Sequence, residues 1–453
     1  MDPEEKVSSE VPPQEEPQEP QEPQEHLRGP KTEEASELTP QAKIALAGAF
    51  GSMFCTVGFV NAFGVFETYY AENQLANEKE TDIAWIGAIN VFCIFAGSVF
   101  TGPLLDLSGP EAMLWLGSLG VVFSLMMASL CKELYQFILA QGILLGISMA
   151  FIVTPMIAII SKHFNKKRAA AVGMVIAGSS LGGVIWPVVV HELLDSSNVG
   201  FGWTMRIVGF IMLPILGISS LSGRQPAPKS PPAPSSASSA GSDPEPAVKE
   251  EQPPAKPKLD LSVVKKPELQ LSCAGFFIIY FGMFSPFFYT TAYAVDKGFS
   301  SNLSFYSISI INGASFFGRI IPGIIADRYG KFNLCILATM FSGIIAFCWT
   351  KVTSVAGLVI FSAAYGFCSG AILSLQQACA AQIATPTTVG TVIGIVMGSC
   401  SLSSMAGTVI SGELGQKYGF FSLSMYAGAS LLLGSVILLA AKFAQNRRLA
   451  AIV

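Results

Sequence analysis

The feature that most limits this chain is a series of long apolar runs. Each can reach the ~20 residues that carry an α-helix across ~30 Å of hydrocarbon. Twelve are read from the sequence, over 44–70, 84–105, 112–131, 134–160, 169–190, 203–222, 268–293, 304–325, 332–350, 354–380, 388–411 and 420–442. They are continuously apolar rather than alternating, which excludes a β-barrel and predicts an all-α integral membrane protein. Charge is correspondingly scarce, at 13% of residues against roughly 25% in soluble domains.

What charge there is clusters outside the runs. Residues 1–43, rich in Pro, Glu and Gln, cannot bury enough apolar surface to offset their ordering entropy, so a disordered tail is expected. They lack the basic start and apolar core of a cleaved signal peptide, so the first membrane helix is expected to direct insertion. Residues 223–267 hold PAPKSPPAPSSASSAGSDPEP and read as a flexible linker. The chain is thus divided into a six-helix half at 44–222, a second at 268–442, and a short tail at 443–453. Twenty Lys and Arg fall on the linker side, against five (Lys79, Lys132, Lys297, Lys351 and Lys417) on the other. This asymmetry predicts that both termini and the linker are cytoplasmic.

The halves repeat one another. Gly102, Asp106 and Gly109 recur as Gly323, Asp327 and Gly330, an offset of 221 residues, and the same offset relates Gly173 to Gly394 and Ser180-Leu181 to Ser401-Leu402. Parallel repeats of this kind build transporters whose substrate site lies between the halves near mid-membrane. The GxxxG pairs Gly142/Gly146, Gly178/Gly182, Gly366/Gly370 and Gly394/Gly398 provide notches for close helix approach. Pro155, Pro187, Pro214, Pro286 and Pro322 suit helices that bend, either around a cavity or only for packing.

Several chemistries find no support. No Walker A sequence, zincin pair or GxSxG elbow occurs, and the nine cysteines form neither CxxC nor Cys/His clusters. No enzyme, cofactor or metal site is expected. A net charge of -4 offers no footprint for nucleic acid.

At the loop Gly323-Ile-Ile-Ala-Asp327-Arg328-Tyr-Gly330-Lys331 the chain resembles the major facilitator superfamily, whose acidic and basic loop residues lock helices at the cytoplasmic face. The first copy departs, with Pro110 and Glu111 where basic residues are usual. Within the superfamily, HFNKKRAAAVGMVIAGSSLGGVIWP at 163–187, GFVNAFGVFETYY at 58–70, AWIGAI, YQFILAQG and GFGWTMR resemble the monocarboxylate-permease branch, particularly its fungal members. The resemblance runs over 44–442 and implies the twelve-helix facilitator fold. It also implies transport of a small organic solute by alternating access, with proton symport as the default mechanism and the plasma membrane as the default location. A vacuolar or other internal membrane stays open.

Arg319 lies near mid-helix, where an ionisable side chain costs about 2.5–3.5 kcal/mol on insertion scales and usually faces the bundle interior. The resemblance makes it the counter-charge for a substrate carboxylate; snorkelling beside Asp327 is the alternative. The same pattern expects an aspartate where this chain has Ser315 and a lysine where it has Val65, so the proton-coupling partners are missing. Glu67 is the remaining proton-carrier candidate in helix one. Asn61 and Asn312 would bind substrate or tie helices together. Arg168 would line the inward cavity or anchor helix five. Gln376, Gln377 and the aromatic run of helix seven, from Tyr280 to Tyr293, complete the polar inventory. Three functions remain open: a small organic-anion carrier with or without protons, an exporter of a neutral or bulky metabolite or riboflavin-like solute, and a non-transporting nutrient sensor.

Overall fold

The computed structural model describes residues 39–196, 199–223 and 260–446. The expectations for the N-terminal tail, most of the linker and the end of the C-terminal tail lie outside the described residues. Among those described, every long element is helical. In chain order they are α1 (Pro40–Glu72), α2 (Thr81–Ser108), α3 (Glu111–Ala128), α4 (Leu134–His163), α5 (Arg168–Asp195), α6 (Gly200–Ser222), α7 (Pro267–Asp296), α8 (Tyr306–Tyr329), α9 (Lys331–Lys351) and α10 (Val355–Ile383), each long and apolar enough to cross a membrane. The last stretch, Val389–Gln445, has 57 residues. As one straight helix it would span about 85 Å, far more than a bilayer. Its backbone turns over at Gly419, where φ is +76°, giving α11 (389–418) and α12 (420–445).

The ends differ from the sequence reading in instructive ways. α1 starts early because Pro40 suits a first turn and the Thr39 hydroxyl accepts from the Ala42 N–H at 3.2 Å. The last residues before α7 are ordered: Ser262–Lys265 form a 3₁₀ turn that buries Val263. The Gly323–Lys331 copy of the Gly-x-x-x-Asp repeat reads as a loop in the sequence, and neither copy is one. Both occupy the last turns of α2 and α8, because nothing interrupts the helix before Gly109 and Gly330. There the positive φ values of +79° and +97° end it.

The first helix of each half is discontinuous. α1 leaves helical dihedrals at Thr56 and its helical hydrogen bonding is interrupted again at Asn61-Ala62, while α7 breaks at Phe284 just before Pro286. α4 contains a π-helical stretch at Ile138–Leu144. It exposes the Gln141 carbonyl to Asn90 Nδ2 at 2.8 Å, and the Gln141 side chain accepts from the Tyr70 hydroxyl at 2.7 Å. Broken and bulged helices in lipid are tolerated where protein re-satisfies the freed groups, and they gather at functional sites.

The halves meet along two seams, α5 against α8 and α2 against α11. A Cβ at Gly173 would lie 2.2 Å from the Arg319 carbonyl, and one at Gly394 would lie 2.2 Å from that of Ser98. Ser98 and Arg319 are themselves 221 residues apart, so both seams are built from equivalent positions. Only glycine permits backbones this close, and with no hydrophobic drive in lipid that approach supplies the dispersion contact holding the seams.

Candidate functional site

The linker-side ends of the seams carry matched polar locks. Asp327, closing α8, accepts from the backbone N–H groups of Ala169 and Ala170 at 2.8 and 2.9 Å. Asp106, closing α2, accepts from Gly390 and Thr391 N–H at 3.2 and 2.7 Å, and from the Thr391 hydroxyl at 2.9 Å. Each carboxylate thus occupies the N-terminus of a helix in the other half, where unpaired N–H groups and the helix dipole favour an anion. The N-half copy makes this contact despite Pro110 and Glu111. Its basic neighbour is Lys162 of α4, whose Nζ lies 3.4 Å from Asp106 Oδ1. Sequence spacing did not point to it, since it stands in another helix. Arg328 is exposed and lies over the Tyr329 ring at 5.7 Å.

Arg168 sits at the same level. Its Nη1 donates to the Ala381 carbonyl of α10 at 2.9 Å, Nη2 to Asn165 Oδ1 at 2.7 Å and Nε to the Phe164 carbonyl at 3.3 Å. These contacts direct the guanidinium along the linker-side rim and across the half boundary rather than toward the centre.

Deeper, Arg319 is ten residues from the end of α8, about 15 Å along the axis and so near mid-membrane. It is only 4% exposed. Nη1 donates across the seam to the Ile176 carbonyl at 2.7 Å and to the Ser179 hydroxyl. Nε is buried with no hydrogen-bond partner among the described residues. A guanidinium has five donors in a rigid fork, and an unused buried edge is a place for a planar acceptor. Snorkelling beside Asp327 does not describe this geometry, because the side chain crosses to α5 and Asp327 is engaged at Ala169.

The surroundings of Arg319 are aromatic and neutral. Tyr280 of α7 stands near the guanidinium as a neutral phenol. Its hydroxyl donates to Gln376 Oε1 at 2.7 Å, and Gln376 Nε2 donates to Cys400 Sγ at 3.4 Å. Phe95 of α2 meets Tyr280 edge to face at 5.5 Å, joining the halves, and Phe284 of α7 also meets it edge to face at 5.5 Å. Ser315 is fully buried, its hydroxyl without a partner among the described residues, with α10 pressed against it: a Cβ at Gly370 would lie 2.7 Å from Ser315 Oγ. That crowding leaves little room for a carboxylate at 315.

Asn61 and Asn312 converge from opposite halves on Gly183, where a Cβ would lie 3.2 Å from Asn61 Cγ and 2.9 Å from Asn312 Oδ1. Each amide donates to its own helix, Asn61 to the Val57 carbonyl at 2.9 Å and Asn312 to Ile308 at 3.2 Å. Arg319 follows Asn312 by two turns on the face of α8 that meets α5. The structure therefore brings Arg319, Asn312 and Asn61 to one seam and holds Arg168 apart from them. Ser179, Tyr280 and Gln376 join the site from three other helices. A buried arginine needs satisfied neighbours, but one sequence alone does not say which helices supply them.

The Major Facilitator Superfamily model matches residues 48–355. An agnestins efflux protein of Paecilomyces divaricatus is 45% identical over 90% of this chain and 89% of its own length. An MFS-type transporter of Aspergillus fumigatus is 43% identical over 91% of this chain and 94% of its own. An aspyridones efflux protein of Emericella nidulans is 38% identical over 92% and 80%. Among solved structures, the human organic anion transporter MFSD10 superposes with a TM-score of 0.64 at 16% identity, covering 88% of this chain and 100% of that one. Two of these relatives carry the names of efflux proteins and none of them that of a monocarboxylate carrier, so the resemblance holds at the level of the superfamily. With its paired six-helix halves and matched linker-side locks, this chain is a membrane transporter of the major facilitator superfamily.

Proposed function

We propose that this transporter exports an organic secondary metabolite bearing an acidic or strongly hydrogen-bond-accepting group. The half-used guanidinium of Arg319, buried between the halves beside Tyr280, is the observation that carries the reading. Its free edge suits a carboxylate or enolate, and Phe95, Tyr280 and Phe284 suit a planar scaffold stacked against it. Efflux is supported by relatives named for agnestins and aspyridones. A proton-coupled monocarboxylate importer is the weaker reading, because Val65 and Ser315 carry no proton at the positions that reading requires.

Transport follows from the locks. With both aspartates on their helix ends and Arg168 on Ala381, the linker side is closed. Exchange of these contacts for water lets the halves rock about the central site. The excess of basic residues on the linker side supports a cytoplasmic linker, and the plasma membrane is the proposed location. The test is efflux from proteoliposomes loaded with a panel of aromatic acids and their uncharged methyl esters. Faster export of the acids, lost in Arg319→Ala, is expected; equal export of acids and esters, unaffected by the substitution, overturns the assignment.

A further inference from the structure

A cleft of about 480 Å³ opens between the halves on the linker side. Val99 of α2 and Ile395 of α11 form its walls, exposed Gln270 of α7 and Val264 of the preceding 3₁₀ turn its mouth with Leu269 buried behind them, and Cys273 and Ser399 polar points inside it. Its depth follows from helix rise. Cys273 lies six residues into α7 and Ser399 ten into α11, about 9 and 15 Å from their linker-side starts. The cleft therefore belongs to the linker-side leaflet.

The mouth is built for that leaflet. Leu261 and Val264 are 53% and 38% exposed while Val263 between them is buried, and Lys265 and Lys266 follow at once. This pattern of apolar residues next to lysines suits the boundary between acyl chains and headgroups. The inner end reaches the site already described. Ser399 Oγ lies 3.8 Å from Cys400 Sγ, which accepts from Gln376, the partner of Tyr280. The wall between cleft and centre is also the α2–α11 seam, where Val99 fills the space a Cβ at Gly398 would need.

We infer that this cleft is a lateral vestibule, in which an amphiphilic aromatic acid dissolved in the linker-side leaflet is held before it passes between α2 and α11 to Arg319. The occupant follows from continuity with the Arg319 site and from the apolar walls with polar points at their inner end. In this state Asp106, Asp327 and Arg168 shut the aqueous route on that side and the α2–α11 seam is tight, so the cleft holds an occupant taken from the membrane until the locks open. This inference rests on the export reading above, and its test separates the two.

The probe is 1-pyrenebutyrate, with full-length protein in phosphatidylcholine vesicles containing a varied fraction of phosphatidylinositol. Modification of Cys273 by N-ethylmaleimide is followed by peptide-resolved mass spectrometry, with exposed Cys348 as internal reference. At a probe concentration about ten times its Kd, Cys273 labelling should slow about tenfold while Cys348 is unaffected. Arg319→Ala should keep this protection and lose pyrenebutyrate export. Ser399→Trp or, at the mouth, Val264→Trp should lose both, and two variants guard against one that misfolds. Protection retained without export in the wild type supports the vestibule and removes the export reading for this class of solute. Unchanged Cys273 labelling overturns the vestibule whatever the flux shows. Protection that follows phosphatidylinositol and ignores the probe also overturns it and assigns the cleft to a structural lipid.

Discussion

Asp106 and Asp327, 221 residues apart, each accept two successive backbone N–H groups from the first turn of a helix in the opposite half. The receiving residues, Ala169-Ala170 and Gly390-Thr391, obey the same offset. The locks are therefore one contact made twice.

Asp327→Ala and Asp106→Ala should each shift the molecule toward linker-side opening. Hydrogen bonds to a charged group contribute about 1.5–3 kcal/mol each, so losing one lock changes the open population by about tenfold or more. Because both act on one equilibrium, their effects should add in free energy. Distances between spin labels on the linker-side ends of α2 and α11 report it. Unaltered distance distributions in the double variant would dispose of the locks as closing contacts.

Arg319→Lys should retain folding and lose most export. Lysine keeps the charge, but as a point charge without the second edge of the fork. One or two lost charge-assisted bonds correspond to about a hundredfold in transport efficiency. Initial export rates over a range of solute concentration measure it. Export by Arg319→Lys equal to the wild type would mean the fork geometry is irrelevant.

Tyr280→Phe should destabilise the protein by about 1–3 kcal/mol, because Gln376 Oε1 is then buried without its donor. Adding Gln376→Leu should recover most of that loss, since removing both partners of a buried bond is nearly neutral. Thermal midpoints of the two singles and the double in detergent form the cycle. Strictly additive losses would show that the pair is not coupled.

Gly366→Ala and Gly217→Ala should move stability in opposite directions. A Cβ at Gly366 would lie 2.2 Å from the Ile311 carbonyl, backbone against backbone, whereas at Gly217 nothing lies within 4 Å. The first forces α8 and α10 apart at a cost of about 1–3 kcal/mol. The second gains about 0.5–1 kcal/mol from alanine's helix preference. Thermal midpoints decide, and a stabilised Gly366→Ala would contradict the packing described.

Most of the fold was legible because membrane crossing imposes one strong rule, a run of apolar residues long enough to span. Most runs placed the helix ends to within about five residues, the eleventh stopping seven short of the turn at Gly419, and the offset of 221 exposed the duplication. Less was legible where residues meet across helices. Arg319 stood out as a charge in an apolar run, yet Ile176 and Ser179 as its partners depend on how α5 lies along α8. The basic neighbour of Asp106 was sought in the loop after it and stands instead on α4, at Lys162. Arg168, read as lining the inward cavity or anchoring helix five, spends its donors along the rim because α10 ends beside it at Ala381. Asn61 and Asn312 announced themselves as buried amides, but their convergence on Gly183 needed the third dimension.

The locks also carry a historical implication. Their acceptors are side chains but their donors are backbone N–H groups, which every residue except proline offers in the same geometry. The receiving helix need only begin in the right place. Ala169 and Ala170, at the start of α5, occupy in the first half the place that Gly390 and Thr391 occupy in the second. Two copies of a single six-helix unit could thus fasten Asp106 of each onto residues 169 and 170 of the other. The closure now made within one chain is one that an ancestral homodimer could have made before gene fusion, with no residue yet specialised for it.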